Sequence, residues 1–142
     1  MAAMAGDDRV SVMSGMAMFS DMSQAEIAAA AEAFEEQVFG PGTRLLRKGF
    51  SGTSFFLVAD GQADVLVDGE QVLSLQRGDF FGELSVILDE PATADVVAVG
   101  QVRCLMLPGT AFEQFMVSHP RVMYRLLRAQ SQRLRDPFRW KA

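Results

Sequence analysis

Apolar residues fall at helical spacing near both ends of this chain and gather into short, turn-bounded runs between them. Ser23-Gln24-Ala25-Glu26 is a capping-box pattern, in which the Ser hydroxyl and the Glu carboxylate serve each other's backbone N–H groups. It opens a predicted helix with Ile27, Ala30, Ala31 and Phe34 at helical spacing. Ahead of it, Val12 to Phe19 predicts a short helix that packs its Met and Phe side chains on the body. Residues 1–11 have no periodicity and predict a frayed terminus. From Val38 the texture changes to strands and turns. Gly40-Pro41-Gly42 predicts a turn, Thr43–Leu46 a strand, Arg47 to Gly52 a loop and Ser54–Ala59 another strand. Asp60-Gly61 and Asp68-Gly69 read as hairpin turns, because both dipeptides suit positive φ. A strand at Asp79–Phe81, a short apolar helix from Gly82, an acidic turn ending at Pro91, a strand from Ala94 and a last strand at Val102–Leu107 follow. Short strands at spacings of about 8–12 residues belong to a sandwich, barrel or jelly roll. Side chains alternate along a strand, so Phe56 and Phe81 are expected in the core and Phe55 and Phe80 on the opposite side.

The C-terminal part returns to helical spacing. Thr110-Ala111-Phe112-Glu113 is a second capping-box pattern, opening a helix that stops by Pro120, and Pro120 suits the first turn of the next. In that last helix Met123, Leu126, Leu127, Gln130 and Leu134 form one face and Arg121, Arg125, Arg128, Gln132 and Arg135 the other.

At 142 residues, 49% of them hydrophobic, the chain is one domain with a proper core. No apolar run approaches the ~18 residues of a membrane span, and no basic segment followed by an apolar one marks a secretory signal. The one cysteine, Cys104, rules out an intramolecular disulfide and suits a cytoplasmic setting; within VRCLML it reads as a buried packing thiol. Net charge of −5 conceals an asymmetry: residues 1–120 hold 6 basic and 17 acidic side chains, residues 121–142 hold 7 and 1. A basic final helix against an acidic body accounts for this, and docking on an acidic partner or membrane surface is the alternative. Nucleic acid is disfavoured, since the acidic body repels phosphate. His119 is the only histidine, too few for a metal-dependent β-roll enzyme, and no Ser sits in a nucleophile elbow. Neither catalysis, a metal nor a tightly held cofactor is expected.

Two separated motifs carry a family resemblance. In LLRKGFSGTSFFLVADGQADVLV, residues Gly49, Gly52, Phe56, Gly61 and Ala63 fall where the cyclic nucleotide-binding domain family has its own pattern, and FGELSVILDEPATADVVA resembles that family's phosphate-binding cassette. The resemblance implies an α+β, mainly β fold: an antiparallel eight-stranded, jelly-roll-like β-roll with N-terminal helices and two C-terminal ones. The domain is expected over 12–142, with helices over 12–37, the roll over 38–107 and the last two helices over 108–136, the final helix acting as a lid that responds to ligand. It places the ligand site at Phe81, Gly82, Glu83, Leu84, Ser85, Ala92, Thr93 and Asp95. Glu83 is then the acceptor for a ribose hydroxyl, and the N–H groups of Gly82, Leu84 and Ser85, with Thr93, serve the phosphate.

The cassette departs from the family at two positions: Ala92 stands where an arginine is usual and Asp95 where Thr or Ser is usual. The missing charge-assisted bond is worth ~1.5–3 kcal/mol, and a carboxylate ~4 Å from the phosphate costs up to ~4 kcal/mol at intermediate dielectric. Together they remove roughly three decades of affinity. Asp95 is expected to fill the anion position itself, and Arg44, Arg47, Arg77 and Arg103, all outside the cassette, would have to swing in to replace the lost cation. The implied function is a stand-alone, non-enzymatic regulatory module with weak or no cAMP or cGMP binding. A working cyclic nucleotide sensor and a sensor of a different small effector are the alternatives. Because the chain stops soon after the lid, output is expected through a protein partner or a second copy at the helix over 120–135.

Overall fold

The computed structural model describes residues 6–136, and eight strands in two antiparallel sheets make its body. The strands are β1 (Glu35–Phe39), β2 (Arg44–Leu46), β3 (Ser54–Asp60), β4 (Ala63–Val67), β5 (Glu70–Leu75), β6 (Phe80–Phe81), β7 (Asp95–Ala98) and β8 (Val102–Pro108). One sheet runs β1-β8-β3-β6 and the other β2-β7-β4-β5. Helices α1 (Gly6–Ser14) and α2 (Gln24–Ala31), joined through a 3-10 turn at Ala17–Phe19, precede the strands. Helix α3 (Glu83–Leu88) interrupts them, and α4 (Gly109–Ser118) and α5 (Pro120–Arg135) follow. This is the expected β-roll with helices at both ends.

Strand β3 is buried along five successive residues because a core lies on each side of its sheet. Phe55, Leu57 and Ala59 face the helices, packing with Phe34, Phe112, Phe115 and Val122. Phe56 and Val58 face into the roll with Val65, Phe81, Val96 and Cys104. The alternation expected of the Phe pairs is present, with both members buried. Phe56 and Phe81 stack across the β3–β6 pair at 4.5 Å, while Phe55 meets Phe80 at 5.8 Å and Phe112 at 5.3 Å on the other face. Burial in the roll pushes the Cys104 thiol up to about 12, as a desolvated group that resists ionisation.

The Ser23–Glu26 capping box forms in both directions, at 3.2 and 2.8 Å. Four expectations change. The helix expected from Val12 starts at Gly6, so part of the segment read as frayed is ordered helix; residues 1–5 lie outside the described residues. Asp68-Gly69 is a hairpin turn between β4 and β5, both residues at positive φ, but Asp60-Gly61 joins strands of different sheets. It is a corner, and glycine is required there because a Cβ on Gly61 would strike the Gln101 carbonyl. The Thr110–Glu113 box does not form: α4 begins two residues earlier than that box would start it, with Pro108 at its cap and no side-chain cap bond. Gly109 sits against the Thr53 carbonyl, where no Cβ fits, and that contact sets the start of the helix.

The fourth concerns α5. Val122 and Leu126 are its buried residues, whereas Met123, Leu127 and Leu134 are exposed, Leu127 at 62% and Leu134 at 83%. The packed stripe is turned toward Val122, Leu126, Ala129 and Arg133. Two of the arginines placed on the outer face pull it that way. Arg121 and Arg125 both grip Asp21, Arg125 through a two-pronged pair at 2.9 and 2.8 Å. These bonds hold the Asp21 carboxyl well below the usual carboxylate range.

Candidate functional site

Strand β6 leads straight into the site. After Phe81 the chain turns at Gly82, with φ of 90° and no room for a Cβ beside the Ser54 carbonyl, so only glycine makes the turn into α3. Helix α3 ends after one and a half turns at Asp89, itself left-handed, where the Ser85 hydroxyl donates to the Glu90 carbonyl. The chain then returns past Pro91, and residue 92 is tied by its backbone in both directions: its N–H donates to the Phe50 carbonyl at 3.0 Å and its C=O accepts from the Gly49 N–H at 2.8 Å. The glycine-bearing loop between β2 and β3 therefore holds the cassette in place, and the two motifs separated in sequence meet in the fold.

Between these segments lies a cavity of about 130 Å³. Its floor is apolar, with Leu46, Val65, Leu75 and Val96 from the roll. Phe81, Gly82, Glu83, Leu84, Ser85, Ala92 and Thr93 all line it, so the structure brings together seven of the eight positions singled out in the sequence. Asp95 is the exception. Its carboxylate points to the outer side of β7, where it pairs with Arg44 at 2.9 Å and accepts the Lys48 N–H at 2.9 Å. It does not fill the anion position, and its repulsion of a ligand phosphate drops out of the account. The period of a strand explains this: Ala94 and Val96 face the core, so Asp95 faces away.

The other cations are also spoken for. Arg77 donates to the Ala59 carbonyl at 2.9 Å, Arg103 pairs with Glu36 at 3.0 Å and Arg47 lies over Phe50; neither they nor Arg44 line the cavity. The cation that does reach it is Arg133 of α5. Glu83, only 2% exposed, accepts from Gln130 Nε2 at 2.7 Å and from Arg133 Nη1 at 3.3 Å. The guanidinium also lies over the Phe80 ring, 4.5 Å from its centroid. Gln130 belongs to the packing face expected from the sequence, whereas Arg133 falls on neither expected face. The signal was there, since residues 126, 130 and 133 share one helical arc.

The lining offers hydrogen-bond donors, an apolar floor and one paired cation, which suits holding a small molecule. Among the described residues no group of three or more His, Cys, Asp or Glu side chains is placed to hold a metal, and no helix is long and apolar enough to cross a membrane. His119 ends α4, its ring stacked on Phe115 at 4.3 Å and its Nδ1 2.8 Å from the Phe115 carbonyl, a structural role.

Comparison with known proteins bears on this geometry. The family model for the cyclic nucleotide-binding domain matches residues 36–119. The chain is 36% identical over 99 residues to the cAMP-dependent protein kinase regulatory subunit of Hypocrea atroviridis, covering 70% of this chain and 21% of that protein. It thus spans about a fifth of the length of that relative. The regulatory domain of Toxoplasma gondii PKA, solved with cAMP, superposes with a TM-score of 0.76 at 28% identity, covering 89% of this chain and 50% of the other. A regulatory subunit of a cAMP-independent protein kinase A from Trypanosoma brucei has been solved as a triple mutant with cAMP in its A site. One of its three substitutions replaces a threonine with arginine; it superposes at a TM-score of 0.77 and 26% identity, covering 87% of this chain and 46% of that one.

Proposed function

Because this chain belongs to the cyclic nucleotide-binding domain family, we propose that it is a non-enzymatic regulatory module whose cavity is its effector site and binds cAMP and cGMP weakly or not at all. The observation that carries the reading is residue 92. It lies on the cavity wall, 5% exposed and pinned through its backbone, and as alanine it offers a bound phosphate no cation. The absent charge-assisted bond is worth ~1.5–3 kcal/mol, or about one to two decades of affinity. With Asp95 turned away the deficit is smaller than the bare sequence suggests. The size of the cavity points the same way: about 130 Å³ against the roughly 300 Å³ or more of a typical ligand pocket. A cyclic nucleotide needs α5 to move.

A second reading, an effector other than a cyclic nucleotide in the same pocket, is favoured by the apolar floor and by the Trypanosoma brucei relative, which is described as the regulatory subunit of a cAMP-independent kinase and has cAMP bound as a triple mutant. Output through a protein partner or a second copy at α5 belongs to the same proposal, supported by the exposed Met123, Leu127 and Leu134. Calorimetric titration of the protein with cAMP and cGMP is the test. Affinity weaker than about ten micromolar, or none detectable, is expected for both; binding at about one micromolar or tighter by either overturns the reading.

A further inference from the structure

Resting on the reading of this cavity as an effector site, we infer that the guanidinium of Arg133 is its resident occupant, so that the lid is closed from within and the site takes a flat group with paired hydrogen-bond donors rather than a bare anion. Three contacts carry this. Glu83 is the one charged residue buried as a whole among the described residues, and the two groups that donate to it, Gln130 and Arg133, come from α5. The same guanidinium lies over the Phe80 ring, 4.5 Å from its centroid, the place that a cationic or aromatic ligand group would take. Arg133 also lines a second, more polar cleft of about 300 Å³ between β5 and α5, which shares Leu73, Leu75 and Phe80 with the first. Its side chain therefore belongs to the wall that the two cavities share.

The chemistry of the ligand follows from what Glu83 requires. Without Arg133 the buried Glu83 carboxylate keeps its bond from Gln130 but loses its cation, and a buried charge stripped of its pair is strongly disfavoured. Whatever displaces Arg133 must bring N–H or O–H donors to the same oxygen and a flat face to Phe80. A bare phosphate does neither, and it would meet a carboxylate of its own sign. A guanidinium, an amidinium or an uncharged ring edge with adjacent donors does both.

The test is amide hydrogen exchange of the whole protein, reading residues 126–135 against β3 and β8, with no nucleotide present. Wild type is expected to protect α5 without any ligand. Arg133→Ala should speed exchange over 126–135 by about tenfold to a hundredfold and leave β3 and β8 unchanged. Ethylguanidinium added in excess should restore protection in Arg133→Ala. Ethylammonium, which is cationic but not flat, should not, and neither should rescue occur in Glu83→Gln/Arg133→Ala. Arg133→Lys keeps the charge and is expected to open like the alanine variant. Unchanged exchange in Arg133→Ala or Arg133→Lys overturns the inference, as does equal rescue by ethylammonium or rescue without the Glu83 carboxylate. Tight cAMP binding by the wild type would instead defeat the functional proposal, and the exchange result would still stand on its own.

Discussion

Placing an arginine at residue 92 separates a missing cation from every other cause of weak nucleotide binding. The Ala92 methyl lies on the cavity wall between two backbone hydrogen bonds to the loop over 47–52, so Ala92→Arg leaves the backbone anchored and projects its side chain into the cavity. A charge-assisted bond to phosphate contributes ~1.5–3 kcal/mol, so cAMP affinity should rise by about one to two decades. Asp95 decides whether a second change is needed. Its carboxylate is already engaged by Arg44 and by the Lys48 N–H, both at 2.9 Å, and it lies outside the cavity. It should neither capture the new arginine nor repel the ligand. Ala92→Arg alone should therefore reach nearly the affinity of Ala92→Arg/Asp95→Thr. The second change should instead loosen the link between β2 and β7, by no more than the ~0.2–1 kcal/mol of an exposed ion pair. Calorimetry of both variants with cAMP, at two salt concentrations, measures this. No gain in a folded Ala92→Arg protein, or a gain that appears only when Asp95 is also replaced, would refute the reasoning.

Adjacent leucines of α5 should behave oppositely: Leu126→Ala, at a site 4% exposed, should cost ~2–5 kcal/mol in urea unfolding, and Leu127→Ala, at 62%, no more than ~0.5 kcal/mol. Equal effects would mean that the packed face of the helix is misassigned. Asp21 is held below its ordinary range by Arg125 and Arg121, so the unfolded chain binds the proton more readily and the contribution of Asp21 is full above about pH 4, fading as pH falls toward the folded value. Asp21→Asn should accordingly lower the urea midpoint at pH 7 and match wild type more closely at pH 2–3, roughly below the unfolded carboxylate range; a difference that grows on acidification would contradict this sign. The Cys104 thiol, fully buried and pushed up to about 12, should resist a disulfide reagent at neutral pH until the protein is denatured, and prompt stoichiometric labelling of the native protein would show the roll interior to be open.

Much of this molecule follows from local chemistry that a linear sequence displays. The Ser23–Glu26 box, the Asp68-Gly69 hairpin, Pro120 at a helix start and the alternation of Phe55 with Phe56 depend on residues a few positions apart, and each has its expected form. The cassette was legible for the same reason, since Gly82, Glu83 and the return through Ala92 and Thr93 lie within one short segment. What the tertiary structure decided are contacts between segments far apart. That Asp60-Gly61 is a corner depends on Gln101, and that α4 starts at Gly109 depends on Thr53. Asp95 leaves the site because strand period and Arg44 both take it outward. Above all, the partners of Glu83 stand 47 and 50 residues away, on a helix whose rotation is set by Asp21 at its other end. An amphipathic pattern shows that a helix has an apolar side; when apolar residues extend beyond the buried arc, ion pairs and packing choose which of them face inward, and those partners are adjacent only in the folded chain.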